Sequence, residues 1–482
     1  MLEILSHKYL KNFLKSKNIG WDHIYSFGRL ISKCIQTNQN YLINSEIFLT
    51  DKWYTALLIS LFLNEEDAYF VMSKQEIEEL KNKHLVQLKK FGFKFEIKNN
   101  QLIFAKHKIS IISLEDILQR YKKYYFTNQR IVLKDIQNLK QDLKNNLRIS
   151  LDKKDWFRFN VNKNFQDKEI EQKYNLFKQI FFARSIPNQE KVHLYKNELV
   201  LLREFFLKNE YFSKEFSQVK YALFSSWACW AKLNYENFEW NLILEPIDEI
   251  LEIRELLKTN NFVFLSAFRK DNFFQKSLKN HDLKIDLVLN FKSDFDEKKI
   301  SIYVPPRQLL PNNPLFIESI FNQCIKLFLL KKQFTLILCN SNDLKINLAT
   351  KLASKYGHFI LLETFPINSN SILLASYDWW LTNQILCQSP DQIIIPLLPI
   401  PDITDPFNEQ AISYHLNHSS DWFRDFLLPE AINKIDRAVM PLRKNAGSLV
   451  ILDGRATNRE WGREFINLIQ PSKVFNHLFP FE

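Results

Sequence analysis

The side chains best placed to do chemistry are arginines gathered near the end of the chain: Arg437, Arg443, Arg455, Arg459 and Arg463. They lie within LLPEAINKIDRAVMPLRKNAGSLVILDGRATNREWGREFINLI, which runs from Leu427 to Ile469. A guanidinium is planar, permanently charged and donates through a rigid fork. That suits it to charge developing on a transferring phosphoryl group. Three elements would position them. A helix begins at Pro429, with Ile432, Ile435, Ala438 and Val439 at helical spacing. Arg437 stands on it and Arg443 at its end. Gly447 then breaks the chain, Ser448–Leu452 is a short apolar strand, and Asp453-Gly454-Arg455 turns into a second helix with Arg459, Trp461, Gly462 and Arg463. Taken alone, the same stretch also reads as a solvated basic helix beside a core strand.

Composition bounds the choice. A chain of 482 residues, 46% hydrophobic, is globular and long enough for two or three domains with real cores. No apolar run reaches the length of a membrane span, and MLEILSHKYLKNF is no signal peptide. The cysteines at 34, 229, 324, 339 and 387 form no CxxC pair, which points to a reducing cytoplasm and away from structural zinc. The formal charge of +11 falls in residues 1–300, which hold 49 Lys and Arg against 38 Asp and Glu; the remainder holds 16 of each. A basic half favours nucleic acid as partner, and compositional drift toward lysine is the bland alternative. Of 16 prolines, 14 lie beyond residue 300, so a domain boundary is expected near 295–305. The seven glycines are too dispersed to build a phosphate-cradling loop.

The elements follow in an informative order. Residues 1–40 read as helical, Tyr41–Asn44 as a strand and Trp53–Leu63 as an apolar helix. Ala68–Met72 is a strand and Lys74–Phe91 a helix. Residues 155–240 are expected to be mostly helical, dense in aromatic residues and lysine (KYNLFKQIFFARS, LVLLREFFLKNEYF, YALFSSWACWAKL). Beyond residue 299 come the helix Phe316–Leu330, the strand QFTLILCN, a helix from Asp343 to Tyr356 closed by Gly357, and the strands Ser371–Ser376 and Gln392–Pro396. Strand, cap, helix, glycine is half of a parallel α/β unit. His415 and His418 lack a third ligand and read as loop or helix-end histidines.

A basic helix feeding a strand that ends in Asp-Gly-Arg resembles the last motif of DinG/XPD-type superfamily 2 helicases. Laid on their Gln-x-x-Gly-Arg-x-x-Arg, DRAVMPLR keeps Arg443 and loses the first arginine to Met440; Asp453, Arg455, Arg459, Gly462 and Arg463 match closely. KISIYVPPRQLLPNNPLF resembles the entry to the second lobe, and LLPIPDITDP the Leu-Pro-Phe-x-x-Pro-x-Asp-Pro segment. Tyr377-Asp378-Trp379-Trp380 stands at the Phe-Trp-Glu-Gly-Val-Asp motif, without its glycine and final aspartate. In the first half, Ser266-Ala267-Phe268 resembles Ser-Ala-Thr. SEIFLTDKW stands at the phosphate loop with Lys52 at the phosphate lysine, but without glycines and with Trp53 in place of Ser or Thr. RIVLKDIQNL stands at the strand ending in Asp-Glu-Ala-His, with Asp135 at the Mg²⁺-binding acid and Ile136 at the general-base glutamate.

The resemblance implies an α/β fold of two RecA-like parallel-sheet lobes: 1–298, with a helical insertion at about 155–240, and 299–482. It implies a nucleic-acid-binding helicase homologue, with single-stranded DNA as partner, whose ATP site has decayed at four motifs. If active, it would use ATP and Mg²⁺. Asp135 and Arg443 would then be catalytic, Lys52, Asp378 and Arg437 would hold the nucleotide, and Ser266, Trp379, Arg455 and Arg459 would face nucleic acid. Residues 52–135 contain no cysteine, so no iron–sulfur cluster is expected. The alternative is a non-enzymatic scaffold or partner subunit on the same fold, with a protein partner.

Overall fold

A computed structural model of the chain describes residues 2–15, 23–104, 106–158, 167–185, 190–208, 214–268, 272–291, 300–330, 333–366, 369–384, 386–469 and 472–477. By their contacts the residues form two compact units, 1–291 with 402–422, and 292–401 with 423–482. The expected boundary at 298/299 falls outside the described residues. Residues 402–422, which that division places in the second lobe, pack with the first unit.

The first unit is built on strands β1 (Tyr41–Asn44), β2 (Ala68–Val71), β3 (Glu96–Lys98), β4 (Gln101–Ile103), β5 (Lys108–Ile112) and β6 (Arg130–Lys134). Then come β7 (Ile149–Leu151), β8 (Lys191–His193), β9 (Trp227–Asn234), β10 (Glu239–Pro246), β11 (Asn261–Ser266) and β12 (Leu287–Asn290). The main sheet has the order β12-β1-β11-β6-β2-β5-β4-β3. Its first six strands are parallel, and β3 and β4 add an antiparallel hairpin. Strands buried on both faces read as continuous apolar runs, as Ile131-Val132-Leu133 does. The helix Tyr54–Leu63 is apolar all round because it is buried along almost its whole length.

The insertion is helical over Asp167–Arg184, Lys196–Lys208 and Lys214–Phe224. It also carries an antiparallel sheet in the order β7-β10-β9-β8. YALFSSWACWAKL, within the stretch expected to be mostly helical, turns into strand at Trp227: Trp230 and Leu233 are buried while Lys232 and Asn234 are exposed, and a strand suits that face. The helix Pro406–Asn417 lies on this sheet. Gln410 accepts from the Cys229 N–H at 2.9 Å and donates to its carbonyl at 2.8 Å, and Lys191 pairs with Asp405 at 2.5 Å. His415 and His418 bond locally, to Ser420 Oγ and the Tyr414 carbonyl, each at 2.8 Å.

The second unit holds β13 (Ile300–Tyr303), β14 (Thr335–Cys339), β15 (Ile360–Leu362), β16 (Ile372–Ser376), β17 (Gln392–Ile395), β18 (Ser448–Ile451) and β19 (Ser472–Phe475). They form one parallel sheet in the order β15-β16-β14-β17-β18-β13-β19. Ser341 caps the helix Asn342–Tyr356 by accepting from the Leu344 N–H at 3.4 Å. The arginine-bearing helix runs Leu428–Asn445 and closes with Ala446 in a left-handed conformation. Both units are therefore α/β with parallel sheets, as expected from the alternation of apolar strands and helices. No helix among the described residues is long and apolar enough to cross a membrane.

Candidate functional site

The carboxyl ends of β1, β2, β6 and β11 converge in the first unit, where an open parallel sheet ordinarily receives a ligand. After β1 the chain folds into a short 3₁₀ turn, Glu46–Leu49, capped by Ser45. Four backbone N–H groups of this loop are spent inside it. Ile47 donates to Ser45 Oγ at 3.3 Å, Phe48 to the Ser45 carbonyl at 3.2 Å, Thr50 to the Ile47 carbonyl at 2.9 Å and Lys52 to Thr50 Oγ1 at 3.4 Å. Trp53 is fully buried. Its indole N–H donates to the Thr50 carbonyl at 2.9 Å, and its ring lies 4.9 Å from Phe48 and 4.3 Å from Tyr54, centre to centre. An aromatic cluster with Phe27 and Phe70 closes around it. Lys52 itself is half-buried.

The end of β6 carries a buried ionic cluster. The Lys134 side chain is 4% exposed, and its ammonium contacts Glu76 Oε1 at 2.5 Å and the Asp135 carboxylate. Asp135 turns the chain in a left-handed conformation, with φ 57°. Gln137 donates to Asp135 Oδ1 at 3.0 Å and accepts from the Ala267 N–H at 3.2 Å. Tyr54 donates to Glu76 at 3.4 Å. One polar chain thus joins the segments after β1, β2, β6 and β11. Ser266, fully buried, accepts from Ser45 through its carbonyl at 2.9 Å. Burial opposes the Lys134 charge, but the two carboxylates outweigh it and hold its pKa above the ordinary lysine value. Burial would raise Glu76, yet Lys134 holds it below the usual range. Asp135 goes the other way: burial dominates and lifts its carboxyl above the usual range. Lys134 and Glu76 form the ion pair, and Asp135 is the member that most readily takes a proton.

Phosphate binding at such an edge needs unpaired backbone N–H groups and room for the chain to wrap. Here four of the loop's N–H groups, those of Ile47, Phe48, Thr50 and Lys52, are bonded within it, and an indole fills the centre. Magnesium needs anionic oxygens free to coordinate; here both carboxylates are already engaged by the Lys134 ammonium. Among the described residues no three His, Cys, Asp or Glu side chains gather as metal ligands. The residues present do not fit magnesium-bound ATP. A cleft of about 300 Å³ opens beside Lys134 and Asp135, and its rim is of mixed charge, with Lys74 and Glu115 paired at 2.6 Å.

In the second unit the sequence-derived residues are spread out. Asp378 is exposed and pairs with Lys434 at 3.3 Å. Trp379 is half-buried, its ring 5.8 Å from Phe365. Arg437 is half-buried on the helix Leu428–Asn445, Arg443 is buried on its last turns at 3% exposure, and Arg459 is exposed. Arg455 grips buried Asp453 in a fork, Nε to Oδ1 at 3.1 Å and Nη2 to Oδ2 at 2.7 Å, while Asp453 accepts from the Leu398 N–H at 2.8 Å. Gly454 between them passes so close to Gln308 that a Cβ would sit 2.6 Å from its carbonyl oxygen. The Arg455 fork is thus committed within the unit. Arg455→Ala is expected to lower stability by about 2 kcal/mol in urea unfolding, through loss of a charge-assisted fork; an unchanged midpoint would contradict this.

Sequence reasoning passed over Lys134, Glu76 and Gln137. The signal for the first was a lysine closing an otherwise apolar strand, beside an aspartate.

No protein-family model and no curated protein sequence matches the chain. Solved structures do. Xpd4 of S. tokodaii gives a TM-score of 0.60 at 11% identity, covering 94% of this chain and 100% of that one. An apo XPD gives 0.58 at 13% identity, over 93% and 100%. An XPD helicase gives 0.59 at 11% identity, over 95% and 100%. At such identities the likeness shows the fold alone: α/β, with two RecA-like parallel-sheet lobes.

Proposed function

We propose that this chain is a DinG/XPD-like helicase homologue that binds single-stranded nucleic acid and has lost ATP binding and hydrolysis. The observation that carries the loss is the pair formed by Trp53, buried where phosphates would sit, and Lys134, whose ammonium engages Glu76 and Asp135 where a metal would be held. In this reading the strand end corresponds to the family's acidic motif one residue earlier than the sequence placement. Lys134-Asp135-Ile136-Gln137 then stands for Asp-Glu-Ala-His, and Gln137 accepts from the Ala267 N–H beside Ser266. Catalytic roles for Asp135 and Arg443, and nucleotide contacts by Lys52, Asp378 and Arg437, belong to the ancestral motor. The basic balance of residues 1–300 supports nucleic acid as partner. The five cysteines, all unpaired, suit a reducing cytoplasmic setting.

Binding of a labelled oligothymidylate, titrated against salt with ATP turnover measured in parallel, tests this. The expected result is affinity that falls steeply with salt and no turnover above background, with or without DNA. DNA-stimulated hydrolysis would overturn the loss of ATP chemistry. No binding at low salt would favour the alternative, a scaffold subunit that uses the same fold to hold a protein partner.

A further inference from the structure

The edge of the first sheet opposite the decayed site carries a second feature. The helix Leu114–Tyr124 and the loop into β6 read RYKKYYFTNQR over residues 120–130, with four cations, four aromatics and no acid. Two of the rings face solvent: Tyr124 is 67% exposed and Tyr125 is 62% exposed. Tyr125 lies on Tyr121 at 4.8 Å between ring centres, 27° from parallel. Tyr121 in turn meets Phe126 edge-on, and Phe126 stacks on Tyr69 at 5.1 Å. The Lys123 ammonium sits 5.1 Å from the centre of the Tyr124 ring.

The platform is held in place rather than left to drift. Tyr125 adopts φ 45° and ψ 57°, the left-handed conformation that a helix end usually gives to glycine. A tyrosine there is strained, and it is kept by its N–H bond to the Tyr121 carbonyl at 2.9 Å and by the ring stack. The following loop is tied down by Asn128 donating to the Thr259 carbonyl at 2.8 Å and Gln129 to Asn260 Oδ1 at 2.9 Å. Arg130 is buried and turned inward to the Gln39 carbonyl, which leaves Arg120, Lys122 and Lys123 as the surface cations. The nearby acids are Glu255 and Glu252, and the latter already accepts from the Trp227 indole at 2.8 Å.

Preorganised aromatic faces flanked by cations form a stacking platform for unpaired bases, with phosphates held by the lysines. We infer that Tyr124 and Tyr125, with Lys122 and Lys123, form a binding site for single-stranded nucleic acid on the amino-terminal edge of β6, apart from the carboxyl edge where the ATP site has decayed. The inference rests on the reading of the chain as a single-strand binder and says where one contact lies.

The test is oligothymidylate binding by the full chain over a salt series. Three variants are compared with wild type: Tyr124→Ala with Tyr125→Ala, Tyr125→Gly alone, and Lys122→Ala with Lys123→Ala. Removing each base stack is expected to weaken binding roughly tenfold with an unchanged salt slope. The lysine pair is expected to reduce the slope itself, by about one for each phosphate no longer neutralised. Tyr125→Gly relieves the left-handed strain, so it is expected to bind more weakly while melting no lower than wild type, which separates a binding role from a folding one. If wild type binds and the tyrosine variants bind equally well, the platform is overturned while single-strand binding stands. If wild type itself shows no salt-sensitive binding, the underlying reading falls first.

Discussion

Trp53→Ala is expected to destabilise the first unit by about 3–5 kcal/mol, the cost of emptying a large, fully buried aromatic site. The indole supports three things at once. It packs against Phe48 and Tyr54, reaches Phe27 and Phe70, and bonds the Thr50 carbonyl of its own loop. Urea unfolding followed by tryptophan-independent circular dichroism would read the change. Addition of Mg²⁺ and ATP is expected to leave the melting temperature of wild type and variant alike unmoved, because the Ile47, Phe48, Thr50 and Lys52 N–H groups already donate to carbonyl and hydroxyl oxygens of the loop. A loop residue that merely edged a phosphate site would cost well under 1 kcal/mol when truncated. A small effect, or a nucleotide-dependent rise in melting temperature, would therefore restore the phosphate-loop reading of residues 45–53.

Lys134→Met is expected to cost a similar amount, about 3–5 kcal/mol, for a different reason. It leaves Glu76 and Asp135 facing each other with no cation between them, and an unpaired buried charge is far more costly than the pair was worth. Both carboxyl pKa values should then lie above their ordinary values of 4.5 and 3.8. A carboxyl whose folded pKa is raised destabilises above its unfolded pKa, so the variant's deficit should grow as pH rises from about 4 toward neutrality and shrink in acid. Neutralising all three, as Glu76→Gln, Lys134→Met and Asp135→Asn together, should return most of the loss. In Lys134→Ala, where the side chain leaves space, millimolar Mg²⁺ should raise the melting temperature, whereas wild type should be indifferent to it. A variant as stable as wild type across this pH range would show that Lys134 does not act as the internal cation.

Much of the architecture was legible because it is written locally. Thr335–Cys339, Ile372–Ser376, Gln392–Ile395 and Ser448–Ile451 are buried runs that only a parallel sheet covered on both faces accommodates. The helix Phe316–Leu330 and the cap at Ser341 stand where periodicity and cap chemistry place them. Among the strands that escaped notice are two edge strands. Leu287–Asn290 and Ser472–Phe475 are largely exposed, and their pairing is decided by a neighbour, not by their own pattern. In the insertion, the density of Phe, Trp and Tyr concealed the switch from helix to strand at Trp227, since aromatics suit both.

The site divides the same way. By itself the sequence determined that residues 45–53 hold no glycine, that a tryptophan follows Lys52, that Met440 stands three residues before Arg443, and that the basic charge sits in residues 1–300. These are identities at positions, readable without a fold. Only the tertiary structure decided what those residues meet. Glu76 and Lys134 are 58 residues apart, and Gln137 and Ala267 are 130 apart. A charge becomes an internal counter-ion only when folding strips its water and brings its partner within reach, and neither desolvation nor distance is carried by the order of residues along the chain.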